Sequence, residues 1–348
     1  MKSTTIPRSS MTARRVSDAP ARLNVDYVEH VQLPLTLAEA GAYPMAIVSF
    51  GQPLSGTFPC PVITLNLPQL AGPPMAEVWT SDRPAHIQED LGCAVATSGD
   101  WLIGSIRLDE QMGIPLDITT YQAYTNLLHR LDLLGYPYLS RIWNYFPRIN
   151  DDQDGLERYR RFCLGRHHAL TERLADFPAS LPAATAVGTN SGPLQLVFLA
   201  GAKPVAHLSN PRQLNAYDYP RDYGPRSPSF ARATLTRSED ECVLYLAGTA
   251  SVVGHASRHA GLAREQTEET IQNIQAVFNQ ASHAAGFDLI GAQRRVLYKV
   301  YVRNAGSLSD IDGAIMNSSL ARERVLFLNG DLCRHELLVE IEGLVIAG

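Results

Sequence analysis

Along this chain the apolar residues first come in short runs broken by Gly and Pro, and only later at helical spacing. Met45 to Phe50, ahead of Gly51-Gln52-Pro53, and Trp101 to Ile106 are β-rich runs bounded by turn residues, which predicts strands. From Thr120 the spacing changes. Tyr121, Tyr124, Leu127, Leu128, Leu131 and Leu134 share one helical face, and Gly135 follows where a C-cap glycine belongs. A second helix is predicted from about Leu156 to Ala175, with Leu156, Tyr159, Phe162, Cys163, Leu170 and Leu174 on one side. The stretch PASLPAATA, from Pro178 to Ala186, reads as a linker, and the domain boundary is placed there. Beyond it, strands are predicted over 194–199, 242–247, 296–302, 325–328 and 337–346, and helices over 267–285 and 311–322. Thr267 suits an N-cap because Glu268 and Glu269 follow it, and negative charge favours a helix N-terminus. Ile271, Ile274, Val277, Phe278 and Ala281 then form the buried stripe. Each half is strands followed by helices packed on one face of a mixed sheet, an α+β plan with the look of a duplication but no strict repeat.

Composition narrows the class. The 348 residues suggest about two domains, and 45% hydrophobic content supports a sizeable core. Thirty basic against 35 acidic residues leave a formal charge of −5, which argues against a general nucleic-acid binder. No apolar run reaches the ~18 residues of a membrane helix. Cys60, Cys93, Cys163, Cys242 and Cys333 are odd in number and scattered without a CxxC pair, so neither disulfides nor structural zinc is expected, and the cytoplasm is the expected compartment. Lys2, Arg8, Arg14, Arg15 and Arg22 face one acid, Asp18, among many Ser and Thr. Residues 1–25 therefore read as a disordered tail, with an organelle transit peptide or initiation at Met11 as alternatives. The domain expectation is 1–25 tail, 26–178 N-terminal domain and 179–348 C-terminal catalytic domain.

Several common machines are excluded on motif grounds. The chain has no phosphate loop, no GxGxxG after a strand and no GxSxG nucleophile elbow, and Gly188 to Gly192 reads as a turn entering a strand. His255 and His259 have helical i, i+4 spacing but lack the intervening glutamate of a metalloprotease, so no metal is expected. What remains is arginine and tyrosine. Arg141, Arg148, Arg158, Arg160, Arg161 and Arg166 are interleaved with Trp143, Tyr145, Phe146 and Tyr159; Tyr217, Tyr219, Arg221, Tyr223 and Arg226 form a Pro/Gly-rich loop; Tyr301 and Arg303 end a strand. Guanidinium forks bind carboxylates bidentately and tyrosine adds a hydroxyl and a flat face, a combination suited to a small planar dicarboxylate. The helix arginines equally well pair with Asp151, Asp152, Asp154 and Glu157, and at least two of Arg158, Arg160 and Arg166 are expected to be solvated. At the C-terminus Glu340 and Glu342 share one face of a strand and Val339 and Ile341 the other, so either acid serves as a general acid if desolvated, or as a solvated edge if not.

From about Gly41 onward the sequence resembles the chorismatases, enzymes that remove pyruvate from chorismate. The likeness is carried by RIWNYFP from Arg141, RYRRFCLG from Arg158, Gly188 to Gly192 with the strand after it, NAYDYPRDYGPRSPSFARA from Asn215, LAGTASVVGH from Leu246, and the run from Cys333 to Gly343. The resemblance implies two fused RidA/YjgF-like (chorismate-mutase-like) domains, a site mainly in the C-terminal one, and no metal or cofactor. It implies that Glu340 protonates the enolpyruvyl methylene, with Cys333 and Gly248 as the other catalytic positions. Tyr145, Arg148, Arg161, Tyr217, Arg226, Ser251 and Arg303 are the expected substrate contacts. One branch of the family, with alanine at the position of Gly248 and no cysteine, hydrolyses chorismate to a dihydroxycyclohexadiene carboxylate. Gly248 and Cys333 instead match the branches that make 3-hydroxybenzoate, or both 3- and 4-hydroxybenzoate as pigment and quinone precursors in xanthomonad-like bacteria, and the second of these is favoured. An imine deaminase or a non-catalytic binding module of the RidA type is the alternative. RidA/YjgF proteins are trimers with pockets between subunits; a fused pair supplies part of that interface internally, so a monomer is expected. The expected partner is the small-molecule substrate, with neither nucleic acid nor membrane.

Overall fold

The computed structural model describes residues 21–90, 92–238, 241–289, 291, 294–321 and 323–348. A four-stranded sheet comes first: β1 (Leu23–Glu29), β2 (Tyr43–Phe50), β3 (Val62–Leu65) and β4 (Met75–Ser81), ordered β1-β4-β2-β3, with the short helix α1 (Leu33–Leu37) after β1. The second sheet holds β5 (His86–Asp90), β6 (Cys93–Ser98), β7 (Trp101–Leu108) and β8 (Tyr138–Pro147). Helix α2 (Leu116–Leu134) precedes β8, and a small hairpin of β9 (Asp152–Gln153) and β10 (Leu156–Glu157) leads into α3 (Arg158–Arg173). Strands β11 (Ala183–Thr189) and β12 (Leu194–Gly201) complete this sheet in the order β11-β8-β12-β7-β6-β5. The third sheet contains β13 (Ala206–Leu208), β14 (Ala233–Arg237) and β15 (Cys242–Ala250), then a hairpin of β16 (Val252–Val253) and β17 (Ala256–Ser257) and the helix α4 (Ala263–Ala285). It ends with β18 (Arg294–Val302), α5 (Leu308–Met316), β19 (Arg324–Asn329) and β20 (Val339–Ala347), in the order β13-β14-β15-β20-β18-β19.

The second and third sheets have one connectivity: three antiparallel strands, a helix, a strand, a second helix, a parallel strand, and a last strand inserted antiparallel at the centre. The duplication suggested by the sequence pattern is therefore a duplication of topology. The first sheet repeats its last four strands, with β3 parallel to β2 and β4 inserted between β1 and β2. Helices cover the outer faces. Tyr124, Leu127 and Phe162 of α2 and α3 pack on Phe198 and its neighbours, and Ile274 and Phe278 of α4 pack on Val300 and Ile341. The inner faces of all three sheets meet in one core that includes Val48, Trp79, Tyr145, Leu199, Tyr301 and Leu328. Strands buried on both faces read as continuous apolar runs, which is why the central ones were legible without alternation.

The structure corrects several expectations. Strand β1 begins at Leu23, inside the span read as tail; Ala21 is already buried, its carbonyl accepting a 3.0 Å hydrogen bond from the Trp101 indole, while residues 1–20 lie outside the described ones. The boundary at 178 falls within a folded unit, because β11 and β12 pair with β8 and β7 and belong to the second sheet. Only the first part of the Pro-rich stretch is a connection from helix to edge strand; Ala183 to Ala186 are already in β11, and the change of sheet comes after Gly201. Thr267 is not a cap. It is buried one turn into α4, where its hydroxyl donates to the Ala263 carbonyl. Helix α5 stops at Met316, and Arg322 lies outside the described residues. Arg158 and Arg166 are both buried: Arg158 forks onto Glu110 at 2.9 and 2.5 Å, and the Arg166 guanidinium lies 5.4 Å from the Tyr124 ring centroid.

Candidate active site

Strand β20 lies between β15 and β18 at the middle of the third sheet. Its alternation sends Val339 and Ile341 into the core beneath α4, and leaves Glu340 and Glu342 on the inner face, both buried. These two carboxylates meet opposite surroundings. Glu342 accepts from Arg141 at 2.7 Å, the Trp143 indole at 2.7 Å, Lys299 at 2.9 Å and the Thr185 hydroxyl at 2.5 Å. Burial alone would raise its pKa, but Lys299 and Arg141 outweigh burial and hold it below the usual carboxylate range. Lys299 also contacts Glu77 of β4 at 3.0 Å, and Glu77 accepts from the Trp79 indole at 2.8 Å. A buried chain of alternating charge, Glu77–Lys299–Glu342–Arg141, thereby ties the three sheets together.

Glu340 has no such set of donors. It faces a cavity of about 220 Å³ lined by Gly248, Ala250, Val252, Phe230 and Leu337 together with Cys333, and burial and the neighbouring Glu342 charge push its pKa up to about 8. Arg141, Arg232 and Arg303 oppose this shift without cancelling it. The carboxyl therefore holds a proton near neutral pH and can deliver it, which is what a general acid requires. Gly248 sits where β15 changes register against β20, between Leu246 and Thr249. A methyl group there would run into the Glu340 carboxylate and lie 2.9 Å from the Thr185 methyl, so the missing side chain makes the room the acid occupies. The Cys333 thiol is pushed up to about 12, by burial first and the Glu340 charge second, and stays neutral.

Three guanidinium groups line the cavity: Arg160 of α3, Arg232 just before β14, and Arg334. Arg232 is buried, donates to the Leu214 carbonyl and the Tyr219 hydroxyl at 2.8 Å each, and keeps a buried Nε with no protein acceptor. Arg334 stacks 4.1 Å from the Tyr223 ring centroid. The walls come from both halves of the chain, with Glu157, Tyr159 and Arg160 reaching in from the second sheet's unit.

Of the residues singled out from sequence, Glu340, Cys333 and Gly248 are brought together at this cavity. The expected substrate contacts are not among its lining residues. Tyr145 is a core residue bonded through its hydroxyl to Tyr301 at 3.1 Å. Arg148 is mostly exposed, Arg161 pairs with Asp117 at 3.1 Å, and Arg226 is exposed beside His167. Tyr217 packs against the core under α2 and α3, and the buried Ser251 hydroxyl donates to the Arg258 carbonyl. Arg303 pairs with Asp331 and donates to the carbonyls of Leu332, Arg334 and Leu337, so it shapes the segment that carries Cys333. His255 bonds the Tyr223 hydroxyl and His259 contacts Glu269. Arg160 belongs to the trio of which at least two are expected to be solvated, and Arg232 and Arg334 are not among the expected substrate contacts. Their signal was position: Arg232 closes the Tyr/Arg loop and Arg334 follows Cys333.

Comparison with known proteins bears on this cavity. Residues 77–200 match the family model described as "Chorismatase FkbO/Hyg5-like, N-terminal". A curated chorismatase of Streptomyces hygroscopicus is 39% identical over 277 residues, 77% of this chain and 78% of that protein. A 3-hydroxybenzoate synthase of the same organism is 35% identical over 297 residues, covering 82% of this chain and 86% of the relative. A crystal structure of a chorismatase superposes with a TM-score of 0.83 at 32% identity, over 94% of this chain and 100% of that one.

Proposed function

The chain belongs to the chorismatase family, and from that premise we propose that it cleaves chorismate to pyruvate and 3-hydroxybenzoate, 4-hydroxybenzoate or both. The observation that carries this reading is the Glu340 carboxyl, buried with a pKa of about 8 against Gly248 and Cys333 in a cavity lined by three arginines. Chorismate has a ring carboxylate and an enolpyruvyl carboxylate, and Arg160, Arg232 and Arg334 are the groups that meet them, with Tyr219 and Tyr223 flanking the ring.

Glu340 gives its proton to the enolpyruvyl methylene carbon, leaving an oxocarbenium-like centre. The ring's own hydroxyl then attacks that centre in place of water. Loss of a ring proton then breaks one ring carbon–oxygen bond and aromatises the ring. The hemiketal left behind collapses to pyruvate and the phenolic hydroxyl, so the atoms of chorismate divide between the two products with no oxidant and no net water. The neutral Cys333 thiol steers the intermediate and does not protonate it. The shared inner core of three sheets within one chain supports a monomer, and the substrate's chemistry fits a cytoplasmic enzyme. Among the described residues no helix is long and apolar enough to cross a membrane.

The direct test is incubation with chorismate, following loss of diene absorbance, pyruvate through lactate dehydrogenase, and the aromatic products by chromatography. Hydroxybenzoate and pyruvate in equal amounts are expected. Pyruvate at the uncatalysed rate would exclude the enzyme, and a dihydroxycyclohexadiene carboxylate in place of hydroxybenzoate would make it the hydrolase.

A further inference from the structure

Strand β11 is the free edge of the second sheet, yet it is laced to the third sheet's unit along its length. Gly188 and Asp331 exchange backbone hydrogen bonds at 2.8 and 2.9 Å, and the Ala183 amide donates to the Thr234 hydroxyl at 2.9 Å. Midway between them lies Thr185, buried at the back of the Glu340 cavity without lining it. Its hydroxyl donates to Glu342 at 2.5 Å and accepts from the Gly248 amide at 2.9 Å and from Arg141. A hydroxyl has one donor and two acceptor sites, so all three are used. Its methyl lies against the space a side chain at 248 would need.

We propose that Thr185 is a positioning residue for the reaction, supplied by the opposite half of the chain. Its hydroxyl holds the Gly248 backbone and the Glu342 carboxylate in one arrangement, and so fixes the space in which Glu340 meets substrate. The Gly248 amide lies at a register change, where the sheet ladder does not hold it, and Thr185 provides the missing acceptor. Without that acceptor the bulge is free to shift toward or away from the acid. The arginines that hold substrate are untouched, so turnover and product choice are affected before affinity. This inference rests on Glu340 being the acid.

The test compares Thr185→Val, which keeps the shape and removes all three bonds, with Thr185→Ser, which keeps the hydroxyl. With Thr185→Val, kcat should fall about tenfold or more while KM stays within about threefold, and the ratio of hydroxybenzoate isomers or diene product should change. Thr185→Ser should restore both kcat and the ratio. A folded Thr185→Val enzyme with wild-type kcat and ratio overturns the proposal, as does a loss of kcat that Thr185→Ser shares equally. If Thr185→Val does not fold, Thr185→Ser alone decides: the wild-type ratio upholds the hydroxyl's role, and a changed one assigns it to the methyl and overturns it. Glu340→Gln is the control. Should it turn over like wild type, the assignment of the acid fails; should it be inactive while Thr185→Val is normal, only the role of Thr185 fails.

Discussion

Glu340 and Glu342 stand two residues apart on one strand face, both buried, yet one is held protonated and the other ionised. The difference is donors: Glu342 is bonded by Lys299, Arg141, Trp143 and Thr185, whereas Glu340 meets burial and a neighbouring negative charge that the more distant Arg141, Arg232 and Arg303 do not cancel. Glu340→Gln keeps the shape but removes the transferable proton, so kcat should drop by ~10²–10⁴-fold with chorismate affinity largely kept, measured by steady-state kinetics and direct binding. Wild-type activity should decline as pH rises through about 8, where Glu340 loses its proton. Stability follows the same direction. A carboxyl with a raised folded pKa contributes fully below its unfolded pKa, and the contribution is lost as pH rises through about 8. Urea titrations between pH 5 and 9 should show that decline in wild type and a flatter profile in Glu340→Gln. Gly248→Ala should displace the Glu340 carboxyl, lowering kcat and changing the product spectrum, whereas Cys333→Ala should shift the product balance more than the total rate. Chromatography of the products separates the two effects.

At the scale of elements, the cavity is made by irregular segments held against regular ones. The segment before β20 is pinned by Arg303, which gathers three of its carbonyls, and the loop before β14 is pinned by Arg232. The arginines that line the cavity and those that do not should therefore behave differently. Arg232→Ala or Arg334→Ala removes a charge-assisted bond worth roughly 1.5–3 kcal/mol, and should lower kcat/KM by about ten- to a hundredfold. Arg148→Ala and Arg226→Ala, on exposed side chains, should stay within about threefold of wild type. A large loss of kcat/KM in the second pair would move the carboxylate sites out of this cavity.

On the scale of the whole molecule, the chain Glu77–Lys299–Glu342–Arg141 draws each of its charges from one of three sheets. Burial alone would favour a neutral Lys299, but Glu342 and Glu77 hold it charged. Removing one member leaves a buried charge uncompensated, so Lys299→Met should cost about 3–5 kcal/mol in urea unfolding. A neutral result would mean that the remaining charges relax or take up water. The same inner core should keep the chain a monomer of about 38 kDa by light scattering, and a stable trimer would contradict that.

Local pattern alone was enough for the strands 242–247, 296–302 and 325–328, for α2 with its left-handed Gly135 cap, and for the division of β20 into an apolar and an acidic face. Each depends on period and on neighbours within a few residues, which the order of amino acids carries directly. The resemblance of several motifs in order also located Glu340, Gly248 and Cys333 together. Long-range pairing decided the rest. That β11 and β12 close the second sheet past a Pro-rich connection depends on β8 and β7, dozens of residues earlier. Which arginines meet solvent, an acid or the cavity depends on partners such as Glu110 for Arg158 and Asp117 for Arg161, which no local spacing reveals. The proton on Glu340 was likewise invisible in its strand. A carboxylate's charge is set by burial and by every donor within a few ångströms, and those arrive from three sheets only when the chain has folded.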